Sequence, residues 1–289
     1  MKPSTGHTRE PDLSAGQALL RRPVLPLAAM VEFLYMTGPF ATVAEVIDEL
    51  PEPIETATAL YGEPRELLRE YMECFTPLEQ VKQGGATQPV VTVTGEPLDA
   101  MAAAAALCRQ QILTRELERI NSLLCGPCGC DLCCVGPDRQ MAQEFFEIPL
   151  ADEEIVHFPI ERHDSIDSRA RGAMDEPELM LDGAPFYLAD TPRLVHWQNG
   201  WSLILPRECH CPNLDMNTGG CRIYPDRPLV CRRPQIFPYI LEELADGTIR
   251  QRDMVLAIMD CPYVQRLRDA IAAHAAACEL EIIFTTNKG

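Results

Sequence analysis

The chain has 289 residues, 46% of them hydrophobic and 24% charged, with a net charge of −18 and thirteen cysteines. That length supports one large domain or two modest ones, each with a core of its own. The negative balance argues against non-specific binding to nucleic acid, whose phosphates need a positive counter-surface. No run of about 18 apolar residues marks a membrane span.

Residues 1–26, rich in Pro, Ser, Thr and charge, read as a disordered tail. Arg21-Arg22 ahead of "VLPLAAMVEFLYM" superficially resembles a signal peptide, but Glu32 interrupts the apolar run and no small-x-small cleavage site follows. A cytoplasmic chain is expected. Residues 27–119 read as an N-terminal helical region: Val43, Val46, Ile47 and Leu50 recur at helical spacing, as do Leu67, Leu68, Tyr71, Met72 and Phe75. A loop over 82–96 carries a short strand at Val90–Val93, and Pro97 opens a long helix that runs to Leu124. "PDRQMAQEFFEIPL" predicts a short helix, and the acidic residues 151–189 a loop-rich insert. Asn199-Gly200 and Asp246-Gly247, each between apolar runs, signal two hairpins. "YVQRLRDAIAAHAAACEL" closes the chain as a helix. The fold class expected is α+β, mainly helical with two β-hairpins packed around a cysteine-rich metal core. Residues 120–265 form the metal-binding domain, and 266–289 a C-terminal helix and tail.

The cysteines fall into groups. "CGPCGCDLCC" carries five in ten residues: Cys125, Cys128, Cys130, Cys133 and Cys134. It contains two C-x-x-C pairs, a spacing that lets a reversing chain point both sulfurs at one metal, with Gly126, Gly129 and Pro127 easing the reversals. A second group holds Cys209, Cys211, Cys221 and Cys231, and Cys261 follows the second hairpin. Without a secretory signal, such clustering points to metal ligation over disulfides. Cys74, Cys108 and Cys278 lie in helical patterns and read as small buried apolar residues. His210, between two cysteines, reads as a bystander.

"CxxCxxCC" followed by "GGCRIYPDRPLVCRRPQIFP" (219–238) resembles the YkgJ-type cysteine-cluster family, a zinc- or iron-chelating domain, over roughly residues 120–265. The matching positions are Cys221, Ile223, Tyr224, Arg227, Pro228, Cys231 and Arg232. Cys211 and Cys261-Pro262 resemble further family cysteines. Cys130, Cys133 and Cys134 carry over, but Pro127 stands where the family spacing wants cysteine, so Cys125 and Cys128 both stay open for that role. Cys209 is extra. One branch of the family is similar to flagellin lysine N-methylases.

Ten clustered cysteines exceed one four-ligand site and suffice for two. The first expectation is an iron–sulfur centre of the [4Fe–4S] type, with a redox or electron-transfer role and an unidentified protein or redox partner. The second is a zinc-stapled structural or interaction module, and the third a protein-modifying enzyme like that branch. Either centre with four thiolates carries about two negative charges, which N–H groups of Arg227 and Arg232 would offset, with Tyr224 as a wall. Arg222 and Arg233 lie beside the ligands too. No phosphate loop, GxSxG elbow or HExxH sequence marks another chemistry.

Overall fold

The computed structural model of the chain describes residues 11–286. In chain order it begins with four helices: α1 (Ser14–Leu20), α2 (Leu25–Thr37), α3 (Val43–Glu49) and, after the two-residue strands β1 (Ile54–Glu55) and β2 (Leu60–Tyr61), α4 (Pro64–Arg69). Then come α5 (Thr76–Lys82), β3 (Val90–Val91) and the long α6 (Ala100–Cys128). The middle of the chain holds β4 (Phe145–Leu150), β5 (Arg162–His163), α7 (Ile166–Arg169), β6 (Met180–Leu181), β7 (Ala184–Pro185), β8 (Arg193–Trp197) and β9 (Gly200–Pro206). The last part holds β10 (Ile236–Glu243), β11 (Ile249–Ile258), α8 (Pro262–Arg266), α9 (Arg268–Ala277) and β12 (Glu281–Thr285).

The chain divides into two compact units. One joins Asp12–Leu124 to Arg233–Asn287, and the other holds Cys125–Arg232. In the first, β11 sits at the middle of a mixed sheet. It pairs antiparallel with β10 and parallel with both β12 and β3. The helices supply a buried core that includes Val31, Tyr35, Ile47, Leu68, Phe75, Leu113 and Ile120. Asp99 sets the start of α6: its Oδ1 accepts from the Met101 and Ala102 N–H groups at 2.9 and 2.8 Å, which places the helix start after Pro97 rather than at it.

In the second unit the sheet runs β4-β9-β8-β5, with β4 and β8 antiparallel to β9 and β5 parallel to β8. Alternation along the strands gives it two apolar faces. Leu194, Leu203 and Leu205 pack with Leu150 and Phe158 on one side. Val195, Trp197 and Ile204 pack with Leu179 and Phe186 on the other. The first of these clusters also packs against Cys211 and Ile223, so the sheet backs the cysteine-bearing loops.

The expectation of a mainly helical chain with two hairpins is overturned. Helix accounts for 37% and strand for 21%, in several sheets. Both hairpins form where the turn residues predict them, with Gly200 and Gly247 at positive φ. "FFEIPL", expected in a helix, is the edge strand β4. Its Pro149 lacks an N–H, which an edge position tolerates. β12, which lies in the expected C-terminal tail, pairs with a strand that lies earlier in the chain. Ser14–Leu20 is helical with Leu20 buried, within the stretch expected to be a disordered tail. Residues 1–10 of that tail lie outside the described residues.

Candidate metal centre

The site is built from two pieces of chain that pair. α6 continues past Leu124 to Cys128, so Cys125 and Cys128 stand three apart on a helical turn rather than on a reversal of the chain. That spacing still puts both on one helix face. Gly126 has to be small, because a Cβ there would lie 2.9 Å from the Tyr224 ring. After the helix the chain reaches Cys134 and pairs antiparallel with the second group. The Cys211 N–H donates to Cys134 O at 2.7 Å, Val135 bridges His210, and the Gly136 N–H donates to Cys209 O at 2.8 Å. Gly136 also must be small, since a Cβ would sit 1.9 Å from Pro206 O. Beyond Cys211 the chain turns, with the Leu214 N–H donating to Cys211 O, and Leu214 then bridges Cys221. The Arg222 N–H donates to Asn213 O at 2.8 Å, and Asn213 Nδ2 donates to His157 O at 3.0 Å. Local hydrogen bonds thus bring Cys134, Cys211 and Cys221, which are remote in sequence, to neighbouring positions.

The electrostatics identify which thiols share one environment. Burial raises the Cys125 pKa to about 11, and charge on Cys133, Cys130 and Cys128 adds to the rise. Burial raises Cys231 to about 12, with Cys133, Cys211 and Cys221 adding. Cys134 is pushed up first by its hydrogen bond with Cys133, then by burial, Cys133 charge, Cys211 and Cys231. Burial also raises Cys211, with Cys221 and Cys133 contributing. Cys133 recurs in every one of these environments, and its own side chain is exposed. Among the described residues, no three His, Cys, Asp or Glu side chains are placed together so as to hold a metal ion.

Cys209 stands apart from this pool. Its Sγ turns to Ala189 O at 3.9 Å, and after burial it is the charge of Asp190 that raises it. Cys261 belongs to the other compact unit, where it is buried ahead of α8. His210 is exposed, and Cys74, Cys108 and Cys278 are buried.

One cation enters the pool. Arg227 is 5% exposed, its guanidinium lies 3.7 Å over the Tyr224 ring, and its charge opposes the rise at both Cys125 and Cys231. Arg232 is exposed and donates from Nε to Arg227 O at 2.8 Å, which holds the buried arginine's backbone. Arg233 instead pairs with Glu118 at 2.8 Å, within its own unit.

A crowd of thiols that raise one another's pKa, with one guanidinium to offset them, is an environment short of positive charge. Residues 124–255 match the CxxCxxCC family model. The family is described as a "Putative zinc- or iron-chelating domain". The donor set fits such a group: a metal cation supplies the missing charge and takes thiolates as ligands. The CxxCxxCC match spans Cys125 to Cys231 and ends before Cys261. No curated protein and no solved structure matches the chain. Among the described residues, no helix is long and apolar enough to cross a membrane. The buried arginine was foreshadowed in the sequence by its place in "IYPDRPLVC", and the family pattern, which leaves Cys209 extra, separates it from Cys211.

Proposed function

We propose that the CxxCxxCC segment holds a cysteine-ligated iron–sulfur centre with a redox or electron-transfer role. The observation that carries this reading is the pool of thiols around Cys133. Cys125, Cys134, Cys211 and Cys231 respond to one another or to Cys133, Cys128, Cys130 and Cys221 add to their charge, and no carboxylate or imidazole is among the groups that shift these four most. An all-sulfur set larger than four suits a polynuclear centre better than one tetrahedral ion. Cys130, Cys133, Cys134, Cys211, Cys221 and Cys231 are the ligand candidates, with Cys125 or Cys128 completing the set. An iron–sulfur centre, when bound, supplies reversible one-electron chemistry. The exposure of Cys133 supports access for an electron-transfer partner. Arg227 would stabilise the thiolate charge, and Tyr224 would hold the guanidinium in place through the ring contact.

Anaerobic purification followed by iron, zinc, acid-labile sulfide and optical analysis tests the reading. A brown protein with a broad visible band and matched iron and sulfide is expected. A colourless protein with stoichiometric zinc and no sulfide would overturn it in favour of the zinc-stapled module.

A further inference from the structure

A cavity of about 580 Å³ lies wholly within the first compact unit, outside the CxxCxxCC match. That volume is the size of small-molecule sites. Its walls include the buried Val24, Tyr61, Tyr71 and Glu116, and its rim includes the exposed Arg22, Glu63 and Arg119. Glu116 is 3% exposed. One of its oxygens, Oε1, accepts from the Val24 N–H at 3.0 Å, whereas Oε2 is buried with no hydrogen-bond partner. An unmatched buried carboxyl oxygen is costly.

We propose that this cavity is a binding site for a small organic ammonium, a primary amine on an apolar stem, whose N–H groups meet Glu116 Oε2. An ammonium is a donor-only group, and Oε2 becomes its acceptor once Glu116 gives up its proton. The two tyrosine rings suit both an apolar stem and a nearby cation, and Arg115 already places its guanidinium 5.5 Å from the Tyr71 ring centroid. The rim does not oppose entry by a cation. Arg119 is paired with Glu70 at 2.9 Å, Arg22 donates to Leu60 O, and Glu63 adds a negative charge. A neutral alcohol brings no charge to hold Glu116 ionised, and an anion would keep it protonated, so neither releases its proton.

The proton inventory gives the proposal a signature. Burial pushes Glu116 up to about 8, and the groups that feel its charge are Tyr61, Tyr71 and Cys278. Below that pH Glu116 is protonated in the empty cavity, and an arriving ammonium favours the carboxylate. Binding therefore releases close to one proton from Glu116.

Isothermal titration of the full chain with benzylammonium at pH 6.5, in two buffers of different ionisation enthalpy, tests this. Benzyl alcohol and benzoate serve as the neutral and anionic controls. Saturable binding of benzylammonium with proton release is expected, at least about tenfold tighter than either control. Glu116→Gln, which keeps the acceptor for Val24, is expected to abolish the proton release and weaken binding at least tenfold. Leu67→Trp fills the cavity from its wall while keeping Glu116 and is expected to block binding, which keeps the test decisive if Glu116→Gln does not fold. No binding by the folded chain, a control that binds as well, or Glu116→Gln that binds unchanged would overturn the proposal.

Discussion

Asn121 and Ile236 exchange two hydrogen bonds: Asn121 Nδ2 donates to Ile236 O at 2.6 Å, and the Ile236 N–H donates to Asn121 Oδ1 at 3.2 Å. The same amide donates to Arg233 O at 2.8 Å and accepts from Tyr263 Oη at 2.9 Å. Asn121 precedes Cys125 by one helical turn, and Arg233 follows Cys231 directly after Arg232. One buried side chain thus fixes the chain where it leaves for the cysteine segment and where it returns. Asn121→Ala strands a buried N–H and two carbonyls and leaves the Tyr263 hydroxyl with the Gln235 N–H, and the expected loss is about 3 kcal/mol. Urea unfolding followed by circular dichroism measures it, and a change below about 0.5 kcal/mol would show that the amide is replaceable.

The contrast between Cys133 and Cys209 separates the thiol pool from its neighbourhood. Cys133→Ser is expected to remove most of the bound metal, and Cys209→Ser to retain it, by elemental analysis of protein purified in parallel. Equal loss from both variants would mean that Cys209 turns away from Ala189 and joins the others when metal is present.

Arg227 is the cation that opposes the rise of Cys125 and Cys231. Its replacement by Gln keeps a hydrogen-bonding side chain and removes the charge. Metal affinity is expected to fall by about 10–100-fold, as for other residues that support ligands from behind. Competition with a chelator measures this, and Arg227→Lys should recover part of the loss. Unchanged affinity in Arg227→Gln would leave the arginine with a packing role on Tyr224 only.

Two buried groups in the first unit make stability depend on pH from opposite sides. Burial raises Glu116 from 4.5 to about 8, so its contribution is complete below pH 4.5 and is lost as pH rises towards 8. Burial lowers His274 from 6.5 to about 4, its Nδ1 lying 3.0 Å from Leu20 O, so its contribution is complete above pH 6.5 and is lost as pH falls towards 4. Each slope approaches about 1.4 kcal/mol per pH unit inside its window. Unfolding midpoints are expected to peak between pH 4.5 and 6.5, the range in which these two windows overlap. Glu116→Gln should flatten the alkaline limb alone. An alkaline limb that persists in that variant would assign it to another group.

Local chemistry made part of this legible. Asn199-Gly200 and Asp246-Gly247 announced their hairpins because a tight turn has few sequence solutions. Clustered cysteines announced a metal site for a similar reason. What failed was non-local. β12 and β3 join the sheet by parallel pairing with β11, a partner that no neighbouring residue signals. "FFEIPL" lacks strict alternation because β4 contributes Phe145 to one apolar cluster and Phe146 and Ile148 to the other. The family pattern leaves Cys209 extra beside Cys211, but where its thiol turns is visible only in the pairing of residues 134–136 with 209–211 and the contact with Ala189. Glu116 reads as an ordinary surface acid in "TRELERI", and its burial depends on Val24 ninety-two residues earlier.

The pairing of β3 with β11 has a consequence for the order in which the chain is made. Val90 waits for Ile249, and β11 in turn waits for β12 at the C-terminus. The cysteine segment closes at Arg232, before any of those later strands leaves the ribosome. During synthesis the segment from Cys125 to Cys231 is therefore whole while the other unit still lacks three of the four strands of its sheet, and metal can reach the thiols before that unit has finished folding.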